Sequence, residues 1–253
     1  MEEKRRAAQR RNGRAMAYQS IFRRYEMKFL ISEAQAERIC REVCARMQPD
    51  AYGRTVIRNL YYDTPNYRLI RRSMEKPEYK EKLRLRAYAQ AGEDSQVFAE
   101  IKKKYRGVVY KRRLALPEAE AMGWLSGTGA APAEGQIQRE IDRFLAFYGG
   151  LAPRVFLSYA REAYVSRTED FRVTFDREIL CRQTELSLRS PPAGDALLSP
   201  GEVLMELKCG VGIPLWMCEI LSREKIRRTP YSKYGTAYAK YIFPQHREEI
   251  FHA

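Results

Sequence analysis

The sequence predicts an α+β domain built on about eight antiparallel strands that close into a barrel. Three observations carry that expectation. Strand-length runs of alternating polarity recur along the chain, helical runs with apolar stripes fall between and after them, and 253 residues with 45% hydrophobic content suffice for one packed core. No internal repeat divides the chain, and so many alternating strands would leave exposed edges unless the sheet closed on itself.

Residues 1–20, MEEKRRAAQRRNGRAMAYQS, are Arg-rich with few large apolar groups and read as a basic, flexible arm. The domain is expected over 21–243, with 244–253 as a C-terminal tail. IFRRYEMKFLI reads as a strand, and Ser32, followed by Glu33 and AQAERICREVCARM, as an N-capped amphipathic helix with an acidic first turn. Residues 54–63, RTVIRNLYYD, alternate as a strand, and TPNYRLIRRSM is expected to start a helix with Thr64 at the cap and Pro65 at the first helical position. YKEKLRLRAYA, SQVFAEIKKKYR and GVVYKRRLAL form a meander with turns at AGED and Arg106-Gly107. Residues 117–149 hold two helical stretches split by SGTGAAPAEG. PRVFLSYAREAYVS and FRVTFDREIL form a long pair joined at RTED, VLMELKC is a further strand, and IPLWMCEILSRE and YSKYGTAYAKYIF are helical.

Lys and Arg total 46 against 32 Asp and Glu, a net charge of +14, which favours an anionic partner without separating nucleic acid, lipid and phosphorylated metabolite. The five cysteines, Cys40, Cys44, Cys181, Cys209 and Cys218, are odd in number and lack a C-x-x-C pair, so they read as reduced thiols of a cytoplasmic protein. Cys40 and Cys44 share one helix face as packing. The two histidines, His246 and His252, fall in the last eight residues, which argues against a His-dependent triad or a zinc site. Chemistry here would rest on carboxylates, cations and a metal. No apolar run approaches the roughly 20 residues that a membrane-spanning helix needs, so a soluble chain is expected.

Side chains two apart on a strand share a face. By that rule Glu26 goes with Lys28, Lys82 with Arg84 and Arg86, Glu100 with Lys102 and Lys104, Lys111 with Arg113, Arg172 with Thr174 and Asp176, and Glu206 with Lys208. On most of these strands the opposite face is apolar: Met27 and Phe29, Leu83 and Leu85, Val97, Ala99 and Ile101, Val173 and Phe175, Met205 and Leu207. Two assignments fit. In one, the apolar face is the core and the charges are solvated, the ordinary arrangement of a half-exposed sheet. In the other, the charges line a barrel interior and the apolar face packs outward on the helices. A lumen carrying so many cations is costly without a polyanion to neutralise it.

Arg24 to Lys28 (RYEMK), LYYDTPNY (60–67), KLRLRAY (82–88), EIKKKYRGVVYKRR (100–113), SYARE (158–162), RVTFD (172–176), MELK (205–208) and SKYGTAY (232–238) together resemble the VTC domain, the polyphosphate polymerase domain of the triphosphate tunnel metalloenzyme superfamily, in its stand-alone bacterial form. The motifs occur in order across about 21–243; each is weak singly, and the ordered set is specific. The resemblance implies an eight-stranded tunnel with helices packed on its outside and a lumen of Lys, Arg and Glu, which selects the second assignment. It implies that Lys28, Arg84, Arg86, Lys102, Arg161 and Lys233 bind the triphosphate and growing chain, and that Glu206 holds a divalent metal, Mn²⁺ or Mg²⁺. Lys104, Lys111, Arg113, Arg172 and Lys208 join the phosphate-binding lining by parity or adjacency, and Glu26, Glu100 and Asp176 are further carboxylates for the metal. Arg58, Arg68 and Arg71 would contribute at one mouth, whereas Lys103 and Arg112, of opposite parity, would face out. Relatives that hydrolyse triphosphate open with Glu-x-Glu-x-Lys; Arg24 makes this Arg-x-Glu-x-Lys, which removes one carboxylate and favours transfer over hydrolysis.

The expected activity is therefore metal-dependent transfer of the γ-phosphate of ATP to inorganic polyphosphate. The alternatives are a triphosphatase of the same fold and a non-catalytic polyphosphate binder. A nucleic-acid module is poorly supported, because Tyr88, Tyr105 and Tyr110 are mixed in parity with the cations and form no stacking platform. A membrane partner that takes the polymer is compatible with the sequence.

Overall fold

In a computed structural model, residues 21–246 other than 133 are described, with side chains from residue 25 onward. The basic arm expected over 1–20, the side chain of Arg24 and the tail beyond 246 lie outside the described residues.

The strands are β1 (Ile21–Ser32), β2 (Gln48–Pro49), β3 (Thr55–Asp63), β4 (Tyr79–Ala87), β5 (Gln96–Tyr105), β6 (Val108–Pro117), β7 (Ala152–Val165), β8 (Phe171–Arg182), β9 (Asp195–Ala196) and β10 (Glu202–Cys209). The helices are α1 (Glu33–Arg46), α2 (Arg68–Met74), α3 (Glu118–Ser126), α4 (Gln136–Tyr148), α5 (Leu215–Arg223) and α6 (Lys233–Ala237), the last running on through a π turn (Tyr238–Ile242) into α7 (Phe243–Gln245). The strands form one antiparallel sheet in the order β2-β7-β3-β4-β5-β6-β1-β10-β8-β9, and β7 also pairs with β8. Each of the eight long strands thus has hydrogen-bonded neighbours along both edges; the short β2 and β9 are additions to the expected eight.

Local chemistry sets the element ends. Ser32 caps α1 by accepting from the Gln35 amide at 3.2 Å, while Gln35 Oε1 accepts from the Ser32 amide at 3.1 Å, a reciprocal box worth about 1 kcal/mol. The Arg106-Gly107 turn between β5 and β6 has φ of 45° and 87°, a twist suited to a tight hairpin and tolerated best by glycine. The start of α2 differs from expectation. Thr64 and Pro65 do not open the helix; the Asp63 carboxylate accepts from the amides of Leu69 and Ile70 at 2.8 and 3.0 Å, Thr64 Oγ1 accepts from the Arg68 amide, and the helix begins at Arg68. A buried carboxylate upstream satisfies the orphan donors that a neighbouring cap would otherwise take.

The apolar strand faces pack on helices. Leu83, Leu85, Val97, Ala99 and Ile101 bury against Trp124 and Leu125 of α3 and Ile141 and Phe144 of α4. Phe29, Ile31, Val173, Phe175, Met205 and Leu207 bury against Ile39 and Val43 of α1 and Met217 and Ile220 of α5. Each side chain buried in this way contributes about 1.5–3 kcal/mol. A third cluster lies on the other side of the sheet: Ile57, Tyr61, Val155, Leu157 and Leu204 pack with Tyr234 and Ala237 of α6. That corrects the expectation that all helices lie outside, because α6 packs on the charged face. Cys40 Sγ lies 3.8 Å from Cys44 Sγ on α1, and the five cysteines are free thiols.

Candidate functional site

The alternation in β4 and β5 sends Leu83 and Ile101 to the helices and leaves Lys82, Arg84, Lys102 and Lys104 on the opposite face. The same parity operates on β1, β6, β7, β8 and β10. These charged faces line a cavity of about 590 Å³ that holds fourteen Lys and Arg side chains and three acids, Glu26, Asp50 and Glu206. Such an imbalance makes the cavity attractive to anions.

One wall comes from β4, β5 and β6. It presents Lys80, Lys82, Arg84 and Arg86, then Lys102 and Lys104, then Lys111 and Arg113. Beneath it sits Glu100, fully buried, which accepts from Arg84 Nε and Nη2 at 2.8 and 2.7 Å and from Lys111 Nζ at 3.1 Å, with Arg86 at 3.9 Å. Burial alone would raise the pKa of Glu100, but Arg84, Arg86 and Lys111 outweigh it and hold the carboxyl well below its ordinary value. Arg84 Nη1 donates to Tyr61 Oη and Arg86 Nη2 to Tyr159 Oη, which fixes both guanidiniums before any ligand arrives. Burial and neighbouring cations push Lys82 down to about 7; burial, with Arg86, Arg84 and Arg113, does the same to Lys111 against the pull of Glu100.

The facing wall comes from β1, β7, β8, β10 and α6. Arg161 and Lys233 both reach the fully buried Asp176, at 2.5 Å from Arg161 Nε to Oδ1 and 2.5 Å from Lys233 Nζ to Oδ2. Glu206 lies above it on the cavity surface, with Lys233 at 3.1 Å, Lys208 at 3.1 Å, Arg161 at 3.3 Å and Lys28 at 3.6 Å. Burial raises the Glu206 pKa, but Lys233, Lys208, Lys28 and Arg161 hold it well below the carboxylate range. Glu26, cross-strand to Lys208, accepts from Lys102 Nζ at 2.6 Å; against its burial, Lys102 and Lys208 lower it to about 2. Ser232 caps α6 and accepts from Lys82, and Lys28 donates to the Tyr231 carbonyl at 2.9 Å, so the 228–232 loop is tied to both walls.

The structure brings together Lys28, Arg84, Arg86, Lys102, Arg161, Glu206 and Lys233, with Lys104, Lys111, Arg113, Arg172, Lys208 and Glu26. It does not bring Arg58, Arg68 or Arg71 there. Arg58 lies on β3 at the parity opposite to Ile57 and Tyr61, on the face that packs outward, where burial lowers its pKa. Arg68 covers the Tyr148 ring. Glu100 and Asp176 share the charged parity but sit under the cations rather than on the cavity surface. Lys103 and Arg112 face out, onto Glu140 of α4. The cavity also recruits Lys80, Lys82, Tyr52, Tyr61, Tyr88, Tyr159 and Arg228. Parity with Arg84 signals the two lysines and Tyr88; nothing periodic signals Tyr52 or Arg228, which lie in loops.

The donor set fits a hard divalent cation of a particular kind. Glu206 is a cavity carboxylate with Glu26 close enough to repel it, yet no group of three His, Cys, Asp or Glu among the described residues converges on a point. Mg²⁺-type sites use one or two protein carboxylates and complete their shell with water and other oxygen donors, so Glu206 and Glu26 are the residues that would hold such a cation.

A model of the VTC domain matches residues 23–242. No curated protein matches the sequence. Similar solved structures include a candidate adenylate cyclase from Bacillus halodurans, 15% identical over 85% of this chain and 96% of that one with a TM-score of 0.55, and the Mimivirus capping enzyme triphosphatase, 10% identical over 80% and 88% with a TM-score of 0.39. At such identities the first likeness shows the fold alone. Among the described residues no helix is long and apolar enough to cross a membrane.

Proposed function

The chain belongs to the VTC domain family of triphosphate tunnel proteins, and from that premise we propose that it is a polyphosphate polymerase that moves the γ-phosphate of ATP onto a polyphosphate chain. We read the β7–β8 pairing as the seam that closes the eight long strands into a tunnel around the cavity.

The observation that carries the reading is the state of the acids. Glu26 and Glu206 face the cavity and Glu100 and Asp176 lie beneath it, and all four are held ionised by adjacent Lys or Arg, with lowered pKa. None of these acids is poised near neutrality to take a proton from water; cavity groups that are, among them Lys82 and Lys111, become protonated beside bound phosphates and then offer no base. A terminal phosphate oxygen of an acceptor chain is already ionised and needs no base. Phosphoryl transfer asks the protein chiefly for position and charge neutralisation, and the two walls supply both.

Arg84, Arg86 and Arg161, locked by Glu100, Tyr159 and Asp176, offer planar forks to phosphate oxygens. Lys28, Lys102 and Lys233 act as point charges beside them. Glu206, with Glu26, would hold Mn²⁺ or Mg²⁺, which when bound supplies charge neutralisation to the phosphates. The acceptor oxygen attacks the γ-phosphorus in line, the bond to the β-bridging oxygen breaks, ADP leaves with that electron pair, and the chain lengthens by one. Purified protein given ATP and Mn²⁺ should make a polymer that polyphosphatase digests, with one ADP per residue added. Release of free phosphate without polymer would replace the polymerase with a hydrolase, and binding without ATP consumption would leave a polyanion binder.

A further inference from the structure

The two ends of the cavity differ in chemistry. Strand direction defines them: β4 ends at Ala87 at the same end of the sheet as the starts of β3 at Thr55 and β8 at Phe171, whereas β4 starts at Tyr79, paired with the end of β5 at Tyr105. The second end presents Lys80 and Lys104 with Arg228 of the loop. The first presents Tyr52 and Tyr88, whose rings stack with centroids 5.4 Å apart and planes 11° from parallel.

The stack is held in place from several sides. Tyr88 packs its edge on Phe98 at 5.5 Å, and Arg113 Nη1 donates to its hydroxyl at 3.3 Å. Tyr52 sits in a turn closed by Gly53 at φ 58°, where its amide donates to Asp50 Oδ1 at 3.0 Å and Asp50 pairs with Arg172. Tyr52 as a residue nevertheless stays 43% exposed. Tyr79 and Tyr105 at the opposite end do not line the cavity.

We propose that the tyrosine end is the nucleoside subsite: the base of the triphosphate donor stacks on Tyr52 as a third ring in the series, and its phosphates run inward past Arg113 and Arg172. The proposal rests on the polymerase reading and adds a direction to it. In-line displacement places the acceptor opposite the leaving group, so ADP departs past the tyrosines and the polyphosphate acceptor approaches from the end with Lys80, Lys104 and Arg228.

The test compares two ligands that differ in the base. Affinities of ATP and of inorganic tripolyphosphate are measured by titration calorimetry for the wild type and for Tyr52→Ala, Tyr52→Leu and Tyr52→Phe. Base stacking on an aromatic side chain supports a loss of about tenfold in ATP affinity for the Ala and Leu variants, with tripolyphosphate affinity unchanged and ATP affinity retained by Tyr52→Phe. The tripolyphosphate arm reports that each variant is folded with its phosphate site intact. Equal effects on both ligands, or no effect on ATP, would overturn the subsite while leaving the polymerase reading in place; a wild type that binds neither ligand would remove that reading and the subsite with it.

Discussion

The two walls of the cavity solve the same electrostatic problem in different ways. The β4–β6 wall shows the cavity eight cations and no acid, and relies on Glu100 beneath them; the facing wall brings Glu26 and Glu206 to the surface among Lys28, Arg161, Lys208 and Lys233. Buried Glu100 and Asp176 play matching parts, each orienting an arginine fork from below. What differs is the exposed carboxylate. The first wall presents only cations to the cavity, and the second also presents oxygen donors, which on the proposed reading hold a cation that the bound anion shares.

The largest break in that comparison is Glu206→Gln. It keeps the shape and removes the charge that a metal would require, so turnover should fall by on the order of 10²–10³-fold, while metal-free tripolyphosphate binding holds or tightens. Equal losses in binding and turnover would show that the two walls do not divide the work. Glu100→Gln strikes the other wall. It strands Arg84, Arg86 and Lys111 above an uncharged group, and breaking such a buried arrangement costs about 3–5 kcal/mol; thermal unfolding should show the loss, with part of it recovered on adding tripolyphosphate.

A smaller and opposite effect is expected at Lys82. Burial and Lys28, Lys102 and Lys80 bring its pKa from 10.5 to about 7. The unfolded chain therefore binds the extra proton between about pH 7 and 10.5, and ligand-free stability should rise with pH through that window. Lys82→Met should raise the ligand-free Tm at pH 7 by about 2–4 °C, the shift that about 1 kcal/mol gives in a chain of this size, while weakening tripolyphosphate binding about tenfold. A destabilised variant would show that Lys82 does not bear unneutralised charge. The mildest effect is on binding: a polyanion favours protonated Lys82 and Lys111, so affinity should decline from pH 7 to 9 with proton uptake, read by calorimetry in buffers of different ionisation enthalpy.

Much of this was legible because a strand's period is two. Parity alone separates Lys102 and Lys104, which face the cavity, from Lys103, which meets Glu140, and the same rule would have kept Arg58 out of the site, since its neighbours Ile57 and Tyr61 face in. Depth was not legible. Glu100 and Asp176 have the parity of cavity residues, yet cations from adjacent strands close over them, a result of side-chain length and register rather than of pattern. The pattern was equally silent on α6, a helix on the charged face, and on Tyr52 and Arg228, whose loops carry no periodicity. The capping of α2 was missed because Asp63 acts from six and seven residues away.

The most direct measurement is a crystal structure with a non-hydrolysable ATP analogue and Mn²⁺. The triphosphate should lie between the walls, touching Arg84, Lys102, Arg161 and Lys233, with the metal bridging Glu206 and phosphate oxygens. Phosphates bound outside the cavity, or a metal with no contact to Glu206, would contradict it.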